Sequence, residues 1–208
     1  EPWLAVAAAD EGDRIGRIFL AAPLNPTDLK SLIREKQIID WDFKSGSLVC
    51  STDLRIGNIV LKSSPLKNPN PELVLNAVKK SLINNPERLI KIDEKTEQLI
   101  NRISCLKIWT NEKIEDLSII ESVEKGLFDD DLKRVKNLND LEKIDWFSTL
   151  YYSLNPEIQK KLNELIPEKI EVPSGSELKI KYKKNGENPI LSVRLQELFG
   201  LAESPQIN

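Results

Sequence analysis

The strongest constraint in this sequence is that the spacing of its apolar residues changes twice along the chain. Over residues 1–66 apolar and polar residues alternate in short runs, which is typical of half-buried strands. Over residues 71–166 apolar residues recur at every third or fourth position, which is typical of amphipathic helices. From residue 169 the alternation returns. The 208 residues are enough for one large domain or two small ones, at roughly 100–200 residues per domain.

Residues 1–66 predict five short strands and one interposed helix, which Asn25 or Thr27 can cap. Turn-like residues separate the runs, such as Lys44-Ser45-Gly46-Ser47. Five strands with one helix suit a small β-barrel, and we expect a layout like the oligonucleotide/oligosaccharide-binding (OB) fold.

Residues 67–168 predict a helical region, a bundle of about five helices. Two helices begin with the same signal, Asn70-Pro71-Glu72 and Asn155-Pro156-Glu157. In each, the asparagine can cap the helix and the proline occupies the first helical position.

Residues 169–208 predict a C-terminal β-rich unit, a hairpin plus a short helix. Leu178, Ile180 and Tyr182 alternate with Lys179, Lys181 and Lys183, as in a half-buried strand. Lys184-Asn185-Gly186-Glu187 is a tight-turn signal. The complete fold class is therefore α+β, with an N-terminal OB-like barrel, a central helical bundle and this C-terminal unit.

The residue counts exclude several kinds of enzyme. The chain has no histidine, so serine–histidine and cysteine–histidine nucleophile systems are excluded within it. Its two cysteines, Cys50 and Cys105, lie in apolar runs and are expected to be free thiols in a reducing compartment, the cytoplasm. They are too few for a zinc site. The phosphate-binding pattern Gly-x-x-x-x-Gly-Lys-Ser/Thr is missing. We predict no catalytic residue and no metal site.

Charge gives a weak indication of nucleic-acid binding. With 30 basic and 33 acidic residues the net charge is −3, so any such contact must come from a local patch. Trp41 and Phe43 lie close in sequence to Lys44, with Arg34 upstream and Arg55 downstream. Aromatic and basic side chains on one barrel face can stack bases and hold phosphates. The alternative is that the two aromatic residues form the barrel core and the basic residues are solvated.

Two further groups of residues have a structural and a functional interpretation. The row Lys179, Lys181 and Lys183 is expected to protect an edge strand against aggregation, with phosphate contact as the alternative. The pairs Trp146-Phe147 and Tyr151-Tyr152 lie at helical spacing and are expected to belong to the core.

Several segments resemble the C-terminal region of the HrpB family, bacterial ATP-dependent helicases of the DEAH-box type. The most specific lie near the end of the chain: Val172-Pro173-Ser174-Gly175-Ser176, Leu178 to Tyr182, and Pro189 to Leu201. Weaker agreement occurs earlier, in Glu1 to Val6, Arg17 to Leu24, Trp41-Asp42 and Leu54 to Gly57. The chain departs from the family at Lys181-Tyr182, where Asp-Tyr is typical, and at Glu203-Ser204-Pro205, where Glu-Thr-Pro is typical.

The resemblance implies a fragment of a longer helicase. In the family, a helicase core that binds and hydrolyses ATP with Mg²⁺ precedes this region, and further chain follows it. The missing phosphate loop and the missing initiator methionine fit this expectation. We therefore expect no cofactor in this chain, and expect ATP and Mg²⁺ in the core. No apolar run approaches the ~20 residues of a membrane span, so no membrane contact is expected.

The resemblance also implies a role in binding single-stranded RNA or DNA beside the helicase core of the same parent chain. The chemistry of the residues selects Arg34, Trp41, Lys44 and Arg55 for this role, and more weakly Arg194 and Gln196 with the Pro173–Ser176 turn. The alternative is a structural or protein-interaction module that braces the core or docks a partner. Clustered basic residues would favour the first role, and an exposed apolar patch of a few hundred Å² the second.

Overall fold

The computed structural model describes residues 3–10, 16–111, 113–172 and 174–199, which fall into two compact units. The first comprises the described residues of Glu1–Asp40 and Val49–Pro69. The second comprises Trp41–Leu48 and the described residues of Asn70–Asn208. Strands precede the helices and further strands follow them, so the expected mixture of helices and several sheets is confirmed.

The strands before the helices belong to two sheets. Strands β1 (Trp3–Asp10) and β2 (Arg17–Leu24) form an antiparallel hairpin, with a bulge between Val6 and Ala8. Strands β3 (Arg34–Asp42), β4 (Ser47–Ile56) and β5 (Ile59–Pro65) form a second sheet in that order. Between the sheets a 3₁₀ turn spans Pro26–Leu29, and the Asn25 side chain caps it as predicted, accepting from the Thr27 N–H at 3.1 Å.

The OB-like barrel expected for residues 1–66 is not confirmed. Among the residues that the structure describes, the five strands do not close into one sheet. A barrel must pair each strand on both sides and bury every second residue inside. All eight residues of β1 are instead exposed, so the apolar residues of this strand line no interior.

The middle of the chain is divided into more and shorter helices than expected. The described residues contain α1 (Pro71–Asn84), α2 (Pro86–Leu89), α3 (Glu94–Thr110), α4 (Ile119–Glu124), α5 (Asp129–Leu132), α6 (Leu138–Glu142), α7 (Trp146–Ser153) and α8 (Pro156–Leu165). The predicted caps are confirmed, since Asn70 accepts from the Glu72 N–H at 2.9 Å and Asn155 from the Glu157 N–H at 2.8 Å. The spacing of Leu141, Ile144, Phe147 and Leu150 also predicts one helix over residues 139–154. That prediction is wrong, because Asp145 begins a new helix by accepting from the Ser148 N–H at 2.9 Å.

Helix α3 is the central element of the second unit. Leu99, Ile103 and Leu106 are buried on its inner face, as their spacing predicted. Buried side chains of the surrounding helices complete this core, among them Leu82, Phe128, Trp146 and Leu150. Both cysteines are free thiols, as expected. Cys105 is buried as its apolar run predicts, whereas Cys50, for which burial was also expected, is only half-buried. No helix in the described part of the chain combines the length and apolarity needed to cross a membrane.

After the helices, a small antiparallel sheet is formed by β6 (Lys169–Glu171), β7 (Glu177–Lys181) and β8 (Ile190–Leu191), with β7 in the middle. Ile180 is buried, whereas Lys179 and Lys181 are exposed. The expectation that these lysines protect an edge strand is wrong, because β7 is paired on both sides.

Polar side chains of α3 bind the segment that follows β7. The Gln98 side chain bonds both backbone groups of Tyr182, as a neighbouring strand would. Its amide oxygen accepts from the Tyr182 N–H at 2.8 Å, and its amide nitrogen donates to the Tyr182 carbonyl at 3.3 Å. Asn101 donates to the same carbonyl at 3.1 Å. Further along, the Trp109 indole donates to the Gly186 carbonyl at 2.9 Å. Gln98, Asn101 and Trp109 share one face of α3. The helix therefore has one apolar face in the core and a second face whose polar groups bond the segment after β7.

The Lys184–Gly186 turn requires glycine at its last position. Gly186 has a φ of +67°, and a β-carbon added there would lie 2.9 Å from Cγ2 of Ile108 on α3. We expect Gly186→Ala to lower the free energy of unfolding by about 1 kcal/mol for the backbone conformation and by about 1–3 kcal/mol more for overpacking. Urea unfolding followed by circular dichroism measures this loss.

Gly175→Ala is the matched control, because Gly175 has a φ of +82° and nothing within 4 Å of an added β-carbon. Its free energy of unfolding should fall only by the part that comes from the backbone conformation, about 1 kcal/mol. Equal losses in the two variants would contradict close packing between Gly186 and α3.

Candidate functional site

The six residues selected from the sequence are divided between the two units. Arg34 and Arg55 belong to the first unit. Trp41, Lys44, Arg194 and Gln196 belong to the second. The structure therefore does not collect the predicted set within one unit.

In the first unit, both arginines already interact with protein groups. Arg34 is exposed at the start of β3, and its guanidinium donates to the Ser31 carbonyl at 2.7 Å and the Ile33 carbonyl at 3.1 Å. Arg55 is half-buried on β4, with Nε 3.6 Å from a carboxylate oxygen of the buried Asp53. Arg34 thus keeps a charge open to a ligand, whereas the charge of Arg55 is largely compensated.

Trp41 and Lys44 have opposite environments. Trp41 is 5 % exposed, so its ring is closed to base stacking, and its burial supports the alternative that it is a core residue. Lys44 is exposed in the turn after β3, where its backbone N–H donates to Asp42 at 3.0 Å. That bond, together with Ser45, lowers the pKa of Asp42. The neighbouring Phe43 ring faces a different cation, with the Arg88 guanidinium carbon 4.5 Å from its centre.

Arg194 and Gln196 are both exposed near the end of the described chain. Arg194 precedes a 3₁₀ turn over Leu195–Leu198, and Gln196 lies within it. They belong to the same unit as Lys44 and remain accessible to a ligand.

The structure also forms a cleft that the sequence did not predict. It has a volume of about 320 Å³ and lies between the start of α3 and the C-terminal sheet. Four lysines line it: Lys95, Lys169, Lys179 and Lys181. Lys169 forms an ion pair with Glu177 at 2.8 Å. Among the described residues, Lys179 and Lys181 have no ion-pair partner.

Arg102 lines one wall of the cleft and is itself 2 % exposed. Its Nε donates to the Ile166 carbonyl at 2.7 Å, and its terminal nitrogens donate to the Leu162 carbonyl at 3.2 Å and to Glu168 at 2.8 Å. Burial lowers the pKa of Arg102, while the charge of Glu168 opposes that shift. Because its donors are used internally, Arg102 positions α8 and the start of β6 rather than binding a ligand.

Sequence reasoning did not single out Arg102. The available signal was its position between Leu99 and Ile103 on the inward face of a predicted helix. A charged residue at such a position must be paired with polar groups, because an isolated buried charge is strongly unfavourable.

Tyr182 completes the junction beside Arg102. Its hydroxyl donates to the Pro167 carbonyl at 2.7 Å, and the residue is buried. Burial raises the pKa of Tyr182 to about 12.

In the first unit, the largest exposed apolar feature of the described residues is the β1–β2 hairpin. Its large apolar side chains are 39–65 % exposed: Trp3, Leu4, Val6, Ile18, Phe19 and Leu20. Ile18, Phe19 and Leu20 are consecutive, as are Trp3 and Leu4, so apolar side chains project from both faces of the hairpin.

The described residues contain no group of three side chains that could hold a metal ion. Comparisons with known proteins show which proteins the chain resembles. The family description "ATP-dependent helicase C-terminal" of HrpB matches residues 128–208, and "ATP-dependent RNA helicase HrpB, connector region" matches residues 32–66.

Individual proteins agree with the family match. The ATP-dependent RNA helicase HrpB of Escherichia coli (strain K12) is 28 % identical over 199 residues, which cover 92 % of this chain and 24 % of that protein. A crystal structure of the E. coli DExH-box NTPase HrpB superposes with a TM-score of 0.62 at 26 % identity, covering 99 % of this chain and 26 % of that one. A crystal structure of the E. coli DEAH/RHA helicase HrpB gives 0.61 at 26 % identity, with 99 % and 27 % covered.

Residues 32–66 therefore resemble the connector region of HrpB and residues 128–208 resemble its C-terminal region, and the two similar solved structures are also HrpB. The chain spans about a quarter of the length of the curated relative it matches.

Removal of the Arg102 side chain should strongly destabilise the second unit. Arg102→Met leaves the Leu162 and Ile166 carbonyls without this donor, and each unpaired buried carbonyl costs about 1–3 kcal/mol. The free energy of unfolding, measured in urea, should fall by at least the cost of one carbonyl. Lys160→Met is the control, since Lys160 is exposed and its contact with Glu164 at 3.8 Å lies on the surface. A loss no larger than in this control would contradict the bracing role of Arg102.

Tyr182 should make stability fall at high pH. Its folded pKa of about 12 lies above the ordinary tyrosine value of about 10, so the stabilisation is complete below about pH 10 and is lost as pH rises towards 12. We expect the urea midpoint to fall over this range more steeply in the parent protein than in Tyr182→Phe, which has no proton to lose. Parallel decreases in both proteins would show that Tyr182 is not the group responsible.

Proposed function

We propose that this chain is a non-catalytic accessory region of an ATP-dependent helicase, and that its β1–β2 hairpin docks on the helicase domains of the same protein. The observation that carries the proposal is the cluster of large apolar side chains exposed on both faces of the hairpin. The family match and the greater length of the E. coli relative support the identity of the partner.

An isolated two-stranded hairpin is at best marginally stable in water. Docking would cover the hairpin and bury its apolar surface, and the two aromatic residues Trp3 and Phe19 are the residue types that dominate binding energy at interfaces. In this proposal ATP and Mg²⁺ are bound by the helicase domains, and this chain holds neighbouring parts of the enzyme in place.

The second candidate function is to help bind single-stranded RNA or DNA. The observation that favours it is the exposure of Arg34, Lys44, Arg194 and Gln196, which can contact phosphates and bases. The net charge of −3 makes the expected affinity low, because affinity for nucleic acid depends on several phosphate contacts that release counterions.

Phe19→Ser should weaken docking on the helicase domains. The test mixes this chain with an E. coli HrpB from which the matching C-terminal region has been removed, and measures the dissociation constant by isothermal titration calorimetry. Burial of a phenylalanine side chain is worth about 1.5–3 kcal/mol, so affinity should fall by roughly 10-fold to 100-fold.

Val49→Ser is the matched control, since Val49 is an apolar side chain of comparable exposure in the same unit but on β4. It should bind like the parent chain. If Phe19→Ser bound as tightly as Val49→Ser, the hairpin would not be the docking element.

A further inference from the structure

Lys95 links the basic cleft to an aromatic cluster on α7. Its side chain lines the cleft near the start of α3, and its ammonium lies 3.7 Å from the centre of the Phe147 ring. Phe147 stacks on Tyr151 with an interplanar angle of 7° and ring centres 5.7 Å apart. Tyr151 in turn meets Tyr152 at 5.4 Å. Cations and aromatic rings therefore form one continuous surface within the second unit, which we call the α3–α7 surface.

One of the three rings of this surface, Tyr152, is open to solvent, whereas Phe147 and Tyr151 are half-buried. Tyr152 is 75 % exposed, so the expectation that Tyr151-Tyr152 forms core is wrong for Tyr152. The reason is the helical phase of α7, which buries Trp146 and Leu150 on the opposite face. A largely exposed tyrosine ring next to two further rings offers a stacking platform.

The cationic part has charge available for a ligand. Lys179 and Lys181 are exposed neighbours on one face of the central strand β7, and neither has an ion-pair partner among the described residues. Two of the three acids that line the cleft are already used: Asp93 caps α3 by accepting from the Thr96 N–H at 2.8 Å, and Glu168 pairs with Arg102. Glu94 is the remaining acid and opposes an anion.

We propose that the α3–α7 surface binds single-stranded nucleic acid, with Lys179 and Lys181 contacting phosphates and Tyr152 stacking on a base. This deepens the second candidate function, on which it rests. It takes up the alternative role of phosphate contact for Lys179 and Lys181 and adds Tyr152, which the sequence assigned to the core. A basic groove beside exposed rings is the arrangement that binds single strands without sequence preference. An acidic peptide would use the lysines but would gain little from a row of stacked rings, so the aromatic cluster favours nucleic acid.

The test measures binding of fluorescein-labelled U12 and dT12 by anisotropy over a range of salt concentrations. The double variant Lys179→Gln/Lys181→Gln should lower the affinity roughly fivefold or more and reduce the slope of log K against log salt by about 1.4, because each phosphate contact on a single strand contributes about 0.7.

Tyr152→Ala should lower the affinity at least about fivefold with an unchanged salt slope, and Tyr152→Phe should bind like the parent. Glu94→Gln should raise the affinity about twofold, since it removes the opposing charge.

Lys125→Gln/Lys143→Gln is the charge-matched control, because both lysines are exposed and neither lines this cleft. Circular dichroism should show all variants folded, as Lys179, Lys181 and Tyr152 are exposed. Two outcomes would overturn the proposal: an equal loss of affinity in this control and in Lys179→Gln/Lys181→Gln, or equal competition by a poly-glutamate peptide. Binding that instead falls in Lys44→Gln or Arg194→Gln would reject this surface and retain the second candidate function, whereas no binding of either oligonucleotide at low salt would reject both.

Discussion

The buried guanidinium of Arg102 is the interaction on which the second unit depends. A charge at 2 % exposure is tolerable only if its donors are satisfied, and Arg102 satisfies them with the Leu162 and Ile166 carbonyls and with Glu168. These acceptors lie where α8 ends and β6 approaches. One side chain of α3 therefore fixes the end of the last helix and the entry to the C-terminal sheet, and so forms one wall of the basic cleft.

The same helix also supplies the pairing that the end of β7 needs. Beyond Lys181 the chain makes polar contacts with side chains of α3, and Gln98 offers Tyr182 both an acceptor and a donor as a strand would. Trp109 continues these contacts to Gly186. These side-chain bonds hold the segment after β7 in place. Lys179 and Lys181 are exposed because they alternate along the strand with the buried Ile180.

The two units present different kinds of surface, which fits an accessory region with more than one contact. The first unit exposes apolar side chains on a hairpin, where the gain from burial favours a protein partner. The second exposes cations beside aromatic rings, which suits a charged and stacking ligand. The connector match covers residues 32–66 and the C-terminal match residues 128–208, so the hairpin and α3 lie outside both. The proposed contacts with helicase domains and with nucleic acid are made by different units.

Local features of the sequence determined the elements: the alternation of the strands, the capped helix starts at Asn70 and Asn155, and the inward stripe of α3. These depend on residues a few positions apart, whose geometry is fixed by the backbone. Tertiary structure decided which surfaces form, because that depends on contacts between distant positions. Gln98 meets Tyr182 across 84 positions and Arg102 meets Ile166 across 64. For the same reason the alternation of residues 1–66 could not distinguish a barrel from two sheets, and sequence proximity could not show that Trp41 is buried while Tyr152 is exposed.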